Sequence, residues 1–337
     1  MPKRNNYIKI LEESWSAHLV PRKPAAPTVI STFAGCGGSS LGYSMAGFKE
    51  LLAVEIDQNA VETFKFNFQS VPVYHGDIAQ LSVSRCLELG GLIQPGQLDV
   101  LDGSPPCQGF STAGKREISD NRNLLFRQYV RLLRGLQPKV FIMENVSGMV
   151  KGKMKFIFAD IMRELKSSGY DVSARLLNAK YFYVPQSRER IIFIGVRNDI
   201  GIKPSHPKAQ NYPFTVENAF DSISQTEKDI LPARLKETWQ MFRVLTGKEK
   251  KKHFGLVRIK WKKPSNTIIK SFGNTTSGTI HPFENRRLTI PEIKRLASFP
   301  DTFKVIGNYR QQWERIGNSV PPLFMRSIAQ HIREKIL

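Results

Sequence analysis

Thr28-Val29-Ile30-Ser31-Thr32-Phe33-Ala34-Gly35-Cys36-Gly37-Gly38-Ser39-Ser40-Leu41-Gly42 decides the fold. A β-branched run ends at glycines, and Leu41, Met45 and Phe48 then recur at helical spacing, which reads as strand, tight turn, helix. Glycines in such a turn supply unusual φ values and let a ligand approach the backbone. The turn is not a phosphate-binding loop of the Gly-Lys-Ser/Thr kind, and it departs from GxGxxG because Ser40 stands where the last glycine should be. Alone it is equally a close-packing device.

The alternation continues outward. Leu51-Leu52-Ala53-Val54 reads as a second strand ending at Glu55-Ile56-Asp57, and Gly76-Asp77-Ile78 places another acid at an apparent strand end. Leu98-Asp99-Val100-Leu101 and Val140-Phe141-Ile142-Met143 are further strands, and Arg190 to Gly195 is one more. Leu125, Tyr129, Leu132 and Leu136 form a helical stripe, as do Ile157, Ile161 and Leu165, and Phe324, Ile328, Ile332 and Ile336 close the chain. This pattern predicts an α/β domain with a mainly parallel sheet. A glycine turn followed by two strand-end acids favours an adenosine-containing ligand, because an acid after the second strand can accept from ribose hydroxyls.

The chain has 337 residues, enough for one large domain or two ordinary ones. Lys and Arg total 50 against 29 Asp and Glu, a net charge of +21, which suits a polyanionic partner, nucleic acid ahead of membrane. No apolar run approaches the roughly 20 residues of a membrane span, and no secretory signal is evident. Cys36, Cys86 and Cys107 form no CxxC pair, which argues against a disulfide framework or zinc ribbon and for a reducing, intracellular setting. The six histidines make no HxxxH or HxH pattern, so metal catalysis has no support.

Residues 1–27 are polar and end in Pro21, Pro24 and Pro27, reading as an extension or arm. Beyond residue 200 periodicity weakens. Lys248 to Lys263 carries Lys248, Lys250, Lys251, Lys252, Arg258, Lys260, Lys262 and Lys263 against the single acid Glu249, with Phe254 and Trp261 among them. That stretch is the expected phosphate-contacting surface; a solvated loop is the alternative.

Three constellations can carry chemistry. Ser104-Pro105-Pro106-Cys107-Gln108-Gly109-Phe110-Ser111 places a thiol behind two prolines, directly after a strand, where open α/β sheets bind ligands. Glu144-Asn145 ends an apolar strand, where partial desolvation would raise a carboxyl pKa toward neutrality. Gln186-Ser187-Arg188-Glu189-Arg190 sets two arginines on alternate positions, facing one way if extended and suited to an oxyanion, a base carbonyl or a phosphate. A stiff loop, a strand-end ion pair and surface salt bridges are the ordinary readings of the three.

Taken together, in order along the chain, these residues resemble the DNA (cytosine-5) methyltransferases of the compact bacterial restriction–modification type. Phe33-Ala34-Gly35-Cys36-Gly37-Gly38 resembles the cofactor loop, and Glu55 and Asp77 match the acids that hold S-adenosylmethionine. Pro105-Pro106-Cys107-Gln108 matches the nucleophile loop, Glu144-Asn145-Val146 the base-holding motif, and Gln186, Arg188 and Arg190 the Gln-x-Arg-x-Arg motif. Arg287-Leu288-Thr289, Glu292 and Phe299-Pro300 match a scaffold segment, and Gly317-Asn318-Ser319-Val320-Pro321-Pro322 the last motif. One departure stands out: Ser31-Thr32 occupy the place of the usual Asp-Leu before Phe-Ala-Gly.

The resemblance implies a Rossmann-like S-adenosylmethionine-dependent domain over 28–200 and 310–337, and a smaller irregular target-recognition domain over 201–309, variable at about 203–275. It implies methyl transfer to C5 of a flipped cytosine in duplex DNA, with S-adenosyl-L-homocysteine as product and no metal. Cys107, Glu144, Arg188 and Arg190 are the expected catalytic residues. Glu144, Asn145, Arg190 and Pro106 would hold the base. Ile56, Ile78, Pro105, Asn318 and Val320 join the cofactor loop, Glu55 and Asp77 as cofactor contacts. Ser111, Lys115, Arg116, Arg122, Lys250, Lys251, Arg258, Lys260 and Arg287 are the DNA-contact candidates, and Gly109 to Asn123 is a candidate lid. The expected setting is the bacterial cytoplasm, as a monomer with no membrane contact. The chain shows no nuclease motif, so any restriction partner would be a separate protein. The rival readings are a transfer-RNA cytosine-5 methyltransferase, a non-catalytic DNA-binding protein on the same fold, and a nicotinamide-dependent oxidoreductase. The broken GxGxxG disfavours the last.

Overall fold

The computed structural model describes residues 6–106, 124–150, 154–223, 256–270, 278–284 and 286–337. Its centre is a seven-stranded sheet. Strands β1 (Thr28–Thr32), β2 (Lys49–Glu55), β3 (Val73–His75), β4 (Val100–Gly103), β5 (Val140–Val146), β6 (Tyr170–Asn178) and β8 (Glu189–Arg197) lie in the order β3-β2-β1-β4-β5-β8-β6. The pairs from β3 to β5 are parallel, and β8 runs antiparallel to both β5 and β6. The strand order reverses between β1 and β4, so the crevice outside their carboxyl ends is where such a sheet binds ligands.

The stripes of the sequence become the helical layers. Helix α2 (Gly38–Met45) follows the glycine turn, α3 (Gln58–Asn67) follows β2, and α4 (Val83–Leu89) precedes β4. Helix α5 (Leu124–Leu136) buries Tyr129, Leu132 and Leu136 completely, and α6 (Met154–Ser167) buries Ile161 and Leu165. Later in the chain come the short α7 (Val216–Ala219), α8 (Ile290–Leu296), α9 (Tyr309–Asn318) and α10 (Pro322–Lys335). The last buries Phe324, Ile328 and Ile332 and packs on α2. Two-residue strands β7 (Gln186–Ser187) and β10 (Ser265–Asn266) pair in parallel, as do β9 (Leu256–Arg258) and β11 (Gly278–Ile280). No helix among the described residues is long and apolar enough to cross a membrane.

Two features add to the sequence reading. Within the extension over 1–27, residues Asn6–Leu19 form helix α1. It presents Tyr7, Leu11 and Ser14 inward, Tyr7 Oη donates to the Arg295 carbonyl, and Arg326 donates to Ser14 Oγ. The expected boundary near residue 200 is no break in the core. Ile259, Ile268, Leu288, Ile293 and Phe299 join the same apolar cluster as Val29, Val100, Ile142 and Phe324. The described part of 201–309 is therefore packed onto the sheet's own helical layer.

Candidate active site

The turn after β1 is tightly fitted. Phe33 has φ +56°, Gly35 +56° and Gly37 +94°, the left-handed region that favours glycine. A Cβ on Gly37 would lie 2.5 Å from the Phe68 ring, and one on Gly38 would lie 2.4 Å from the Val320 carbonyl oxygen. Those two glycines serve close packing, whereas Gly35 faces open space. Cys36 is buried, its Sγ 3.0 Å from Ser319 Oγ, and burial pushes its thiol up to about 11, an inert packing group. The turn is thereby keyed to the end of α9 and the loop after it, where Asn318 is exposed and Val320 buried.

At the end of β2 the Glu55 carboxylate is held by three backbone donors: Gly35 N at 2.7 Å, Ile56 N at 2.8 Å and Asp57 N at 2.9 Å. It is fixed between the glycine turn and the strand end, with Ile56 beside it 64% exposed. An immobilised carboxylate, an open glycine and an apolar platform suit a ribose with vicinal hydroxyls and a flat base. The residues present therefore fit an adenosine cofactor. Asp77 caps the short helical turn at 78–80 through Ala79 N, while the Ile78 side chain is buried in the core. Arg315, which the sequence did not signal, binds Asp57 at 2.7 Å. Burial pulls the Asp57 carboxyl upward, but the Ala60 N–H and Arg315 outweigh it and hold it below its ordinary value.

The second cluster lies after β4 and β5. Asn145 Nδ2 donates to the Pro105 carbonyl at 3.0 Å, tying the end of β5 to the Pro-Pro turn. Pro105 is buried and Pro106 exposed. Arg190 Nε meets Glu144 Oε1 at 2.6 Å, both side chains mostly buried. Register sets this up: Val146 pairs with Arg190 and Glu144 with Ile192, so the two charged residues are diagonal neighbours on one face. Glu144 thus sits in an ion pair rather than an apolar surround. Cys107, Ser111, Lys115, Arg116, Arg122 and the whole candidate lid lie outside the described residues, as do Lys250 and Lys251.

The two motif arginines part company. Arg188 is buried, and its Nη1 donates to the carbonyls of Ile268 and Gly317, each at 3.1 Å. Burial and then the neighbouring Arg190 pull its pKa down to about 9, with Glu144 opposing. Gln186 works alongside it: its Oε1 accepts from Ile268 N and its Nε2 donates to the Leu296 carbonyl. Gln186 and Arg188 lock the strand end to α8 and α9, and Arg190 alone of the three reaches Glu144. Among the DNA-contact candidates, Arg258 donates to the carbonyls of His281 and Glu284 and Arg287 is buried, whereas Lys260 is exposed beside Lys262 and Lys263.

The family model described as C-5 cytosine-specific DNA methylase matches residues 27–334. The chain belongs to that family. It is 34% identical over 332 residues to the Type II methyltransferase M1.HphI of Haemophilus parahaemolyticus, covering 90% of this chain and 86% of that one. It is 31% identical over 376 residues to the Type II methyltransferase M.DdeI of Desulfomicrobium norvegicum, covering 90% and 88%. A solved E. coli prophage protein, described as a candidate DNA modification methyltransferase, superposes with a TM-score of 0.73 at 25% identity, over 92% of this chain and 99% of its own. The chain is a DNA cytosine-5 methyltransferase, and the family's methyl donor is S-adenosylmethionine. Helix α1 lies ahead of the matched residues.

Proposed function

We propose that this methyltransferase modifies C5 of a cytosine flipped out of a specific duplex DNA sequence, through a transient bond between Cys107 Sγ and C6. The observation that carries this reading is the Glu144–Arg190 pair at 2.6 Å, laced by Asn145 to Pro105, two residues before Cys107. The Cys107 thiolate adds to C6, pushing electron density onto C5. Glu144 holds the ring at N3 and the exocyclic amino group, and Arg190 holds O2 while fixing Glu144. S-adenosylmethionine, when bound, supplies an electrophilic methyl on a sulfonium. Glu55 would hold its ribose, with the Gly35 turn and Ile56 against its adenosine. After transfer the C5 proton leaves, the Cys107–C6 bond breaks, and the aromatic ring is restored.

Arg188 positions this site by holding the end of the Gln186–Arg190 segment. Extruding the flipped base costs about a few kcal/mol. Basic side chains that meet DNA phosphates offset part of that cost, and Lys115, Arg116 and Arg122 are the candidates that the sequence offers beside Cys107. The relatives' names, Type II methyltransferases, support a role in modifying host DNA within a restriction–modification system.

The experiment is a duplex carrying 5-fluorocytosine at the target. The wild-type chain should form a covalent adduct, because fluorine cannot leave as a proton does, and Cys107→Ser should neither form it nor methylate. Turnover retained by the serine variant would overturn the mechanism. Labelled methyl incorporation into matched DNA and transfer RNA substrates decides between the nucleic acids.

A further inference from the structure

Ser31 and Asp102 are register partners on β1 and β4, so a carboxylate stands one strand away from the position where the family pattern carries an acid and this chain a serine. Asp102 is 4% exposed. Its Oδ1 accepts from Tyr43 Oη at 3.2 Å, and the Ser39 hydroxyl also favours its ionised form. Both residues belong to α2, the helix opened by the glycine turn. Thr32 Oγ1 donates to the Asp102 carbonyl at 2.9 Å, so the bridge from β4 to the β1–α2 unit is made twice. Four residues after Asp102 comes Pro106, and then Cys107.

We propose that Asp102 is a positioning residue of the cofactor site: its carboxylate, delivered from β4, anchors α2 and supplies the negative charge that position 31 lacks. This rests on the methyl-transfer reading. The methyl group must be delivered beside the Pro105-Pro106-Cys107 turn, so the cationic sulfonium end of the cofactor belongs at the carboxyl ends of β1 and β4. Its adenosine then lies toward Glu55 on β2. A carboxylate beneath that point favours the sulfonium donor over its neutral thioether product. At several ångströms and an effective dielectric of about 20, a unit charge is worth about tenfold or more in affinity.

The surroundings make the charge tunable. Tyr43 and Ser39 face Asp102 from α2, Glu50 from β2, and Glu144 from β5 with Arg190 behind it, while Tyr129 of α5 feels its charge from the other side of the sheet. Burial foremost, with Glu144 adding to it, raises the Asp102 carboxyl to about 7. Below that pH the anchor persists but the charge is lost.

Calorimetric titration with S-adenosylmethionine and S-adenosylhomocysteine tests this without requiring turnover. Asp102→Asn keeps the shape and an acceptor for Tyr43. It should melt like the wild type, bind the sulfonium donor about tenfold more weakly, and bind the thioether almost unchanged. The wild-type preference for the sulfonium should grow from pH 6 to pH 8 and stay flat in the variant. Moving the carboxylate back, in Asp102→Ser with Ser31→Asp, should restore sulfonium affinity that Asp102→Ser alone loses. Sulfonium binding by Asp102→Asn equal to wild type, or no restoration by the folded double variant, would overturn the assignment. A wild-type chain that binds neither compound would overturn the cofactor reading itself, and this with it.

Discussion

On one face of the central sheet, Ile30, Leu52, Leu101, Phe141, Met143 and Phe193 interlock with α4, α5 and α6 in an apolar layer. On the other, the apolar Val29, Val100, Ile142, Ile192 and Ile194 share their rows with Ser31, Glu50, Asp102, Glu144 and Arg190. Strand alternation sends neighbours to opposite faces, so a single register decides that Asp102 and Glu144 look the same way while Leu101 and Met143 look the other. The first face can be judged by volume alone. The second holds charge in partly dry surroundings, where every group needs a stated partner.

The comparison breaks most sharply at Glu144. Glu144→Gln should lower turnover by about 10²–10⁴-fold, read by labelled methyl incorporation on protein whose melt shows it folded. Near-normal turnover would mean the pair at 2.6 Å is scaffold. On the opposite face Phe141→Ala should do the reverse, losing about 3–5 kcal/mol of stability by denaturant titration with turnover per folded molecule kept. A Cβ on Gly195 would lie 1.9 Å from the Phe141 ring, so Gly195→Ala should also destabilise, and Phe141→Leu in the same chain should recover part of the loss.

Arg188 sharpens the division, because it lies in the same motif as Arg190 yet its guanidinium bonds to two backbone carbonyls. Arg188→Lys cannot span both in the same fork geometry. It should lower stability by about 1.5–3 kcal/mol, visible as a lower Tm, with a smaller effect on kcat than Glu144→Gln. A loss of kcat at unchanged Tm would instead place Arg188 in the chemistry.

The parallel half of the sheet was legible because its strands are continuous apolar runs between glycines and acids, and α5, α6 and α10 because their stripes repeat cleanly. Strand β6 was not, since Asp171, Ser173 and Arg175 interrupt it at an edge that needs burial on only one side. Helix α1 was missed for a related reason: its inward stripe of Tyr7, Leu11 and Ser14 is narrow and ends in a serine. In the site, the strand-end residues Glu55 and Glu144 could be named in advance because a strand end is a place. The partners Arg315 and Asp102 could not, because their roles depend on which strand or helix lies alongside. An acid inside the apolar run Val100-Leu101-Asp102 was nonetheless a signal that the spacing alone offered.

The mildest test concerns Glu50, the other acid on the polar face. Both its carboxyl oxygens are buried without a hydrogen bond, though the Ser31 and Ser40 hydroxyls lie close enough to favour ionisation. Burial dominates and raises its pKa from 4.5 to about 8. In the unfolded chain the group ionises above about 4.5, whereas in the fold it stays protonated until about 8, so the folded state holds the extra proton between those values. The stability this contributes is complete below the lower value and is lost as pH rises through the upper one. Asp102, raised from 3.8 to about 7, adds a similar loss that ends earlier. Glu50→Gln cannot ionise, so its Tm should match the wild type near pH 4 and fall less steeply toward pH 9. The gain there should be about 1–2 kcal/mol, below the ceiling of about 1.4 kcal/mol per pKa unit because the surroundings of an ionised carboxylate adjust to it. Parallel Tm curves for the two proteins across that range would show that Glu50 is ionised in the fold and that this face tolerates a buried charge.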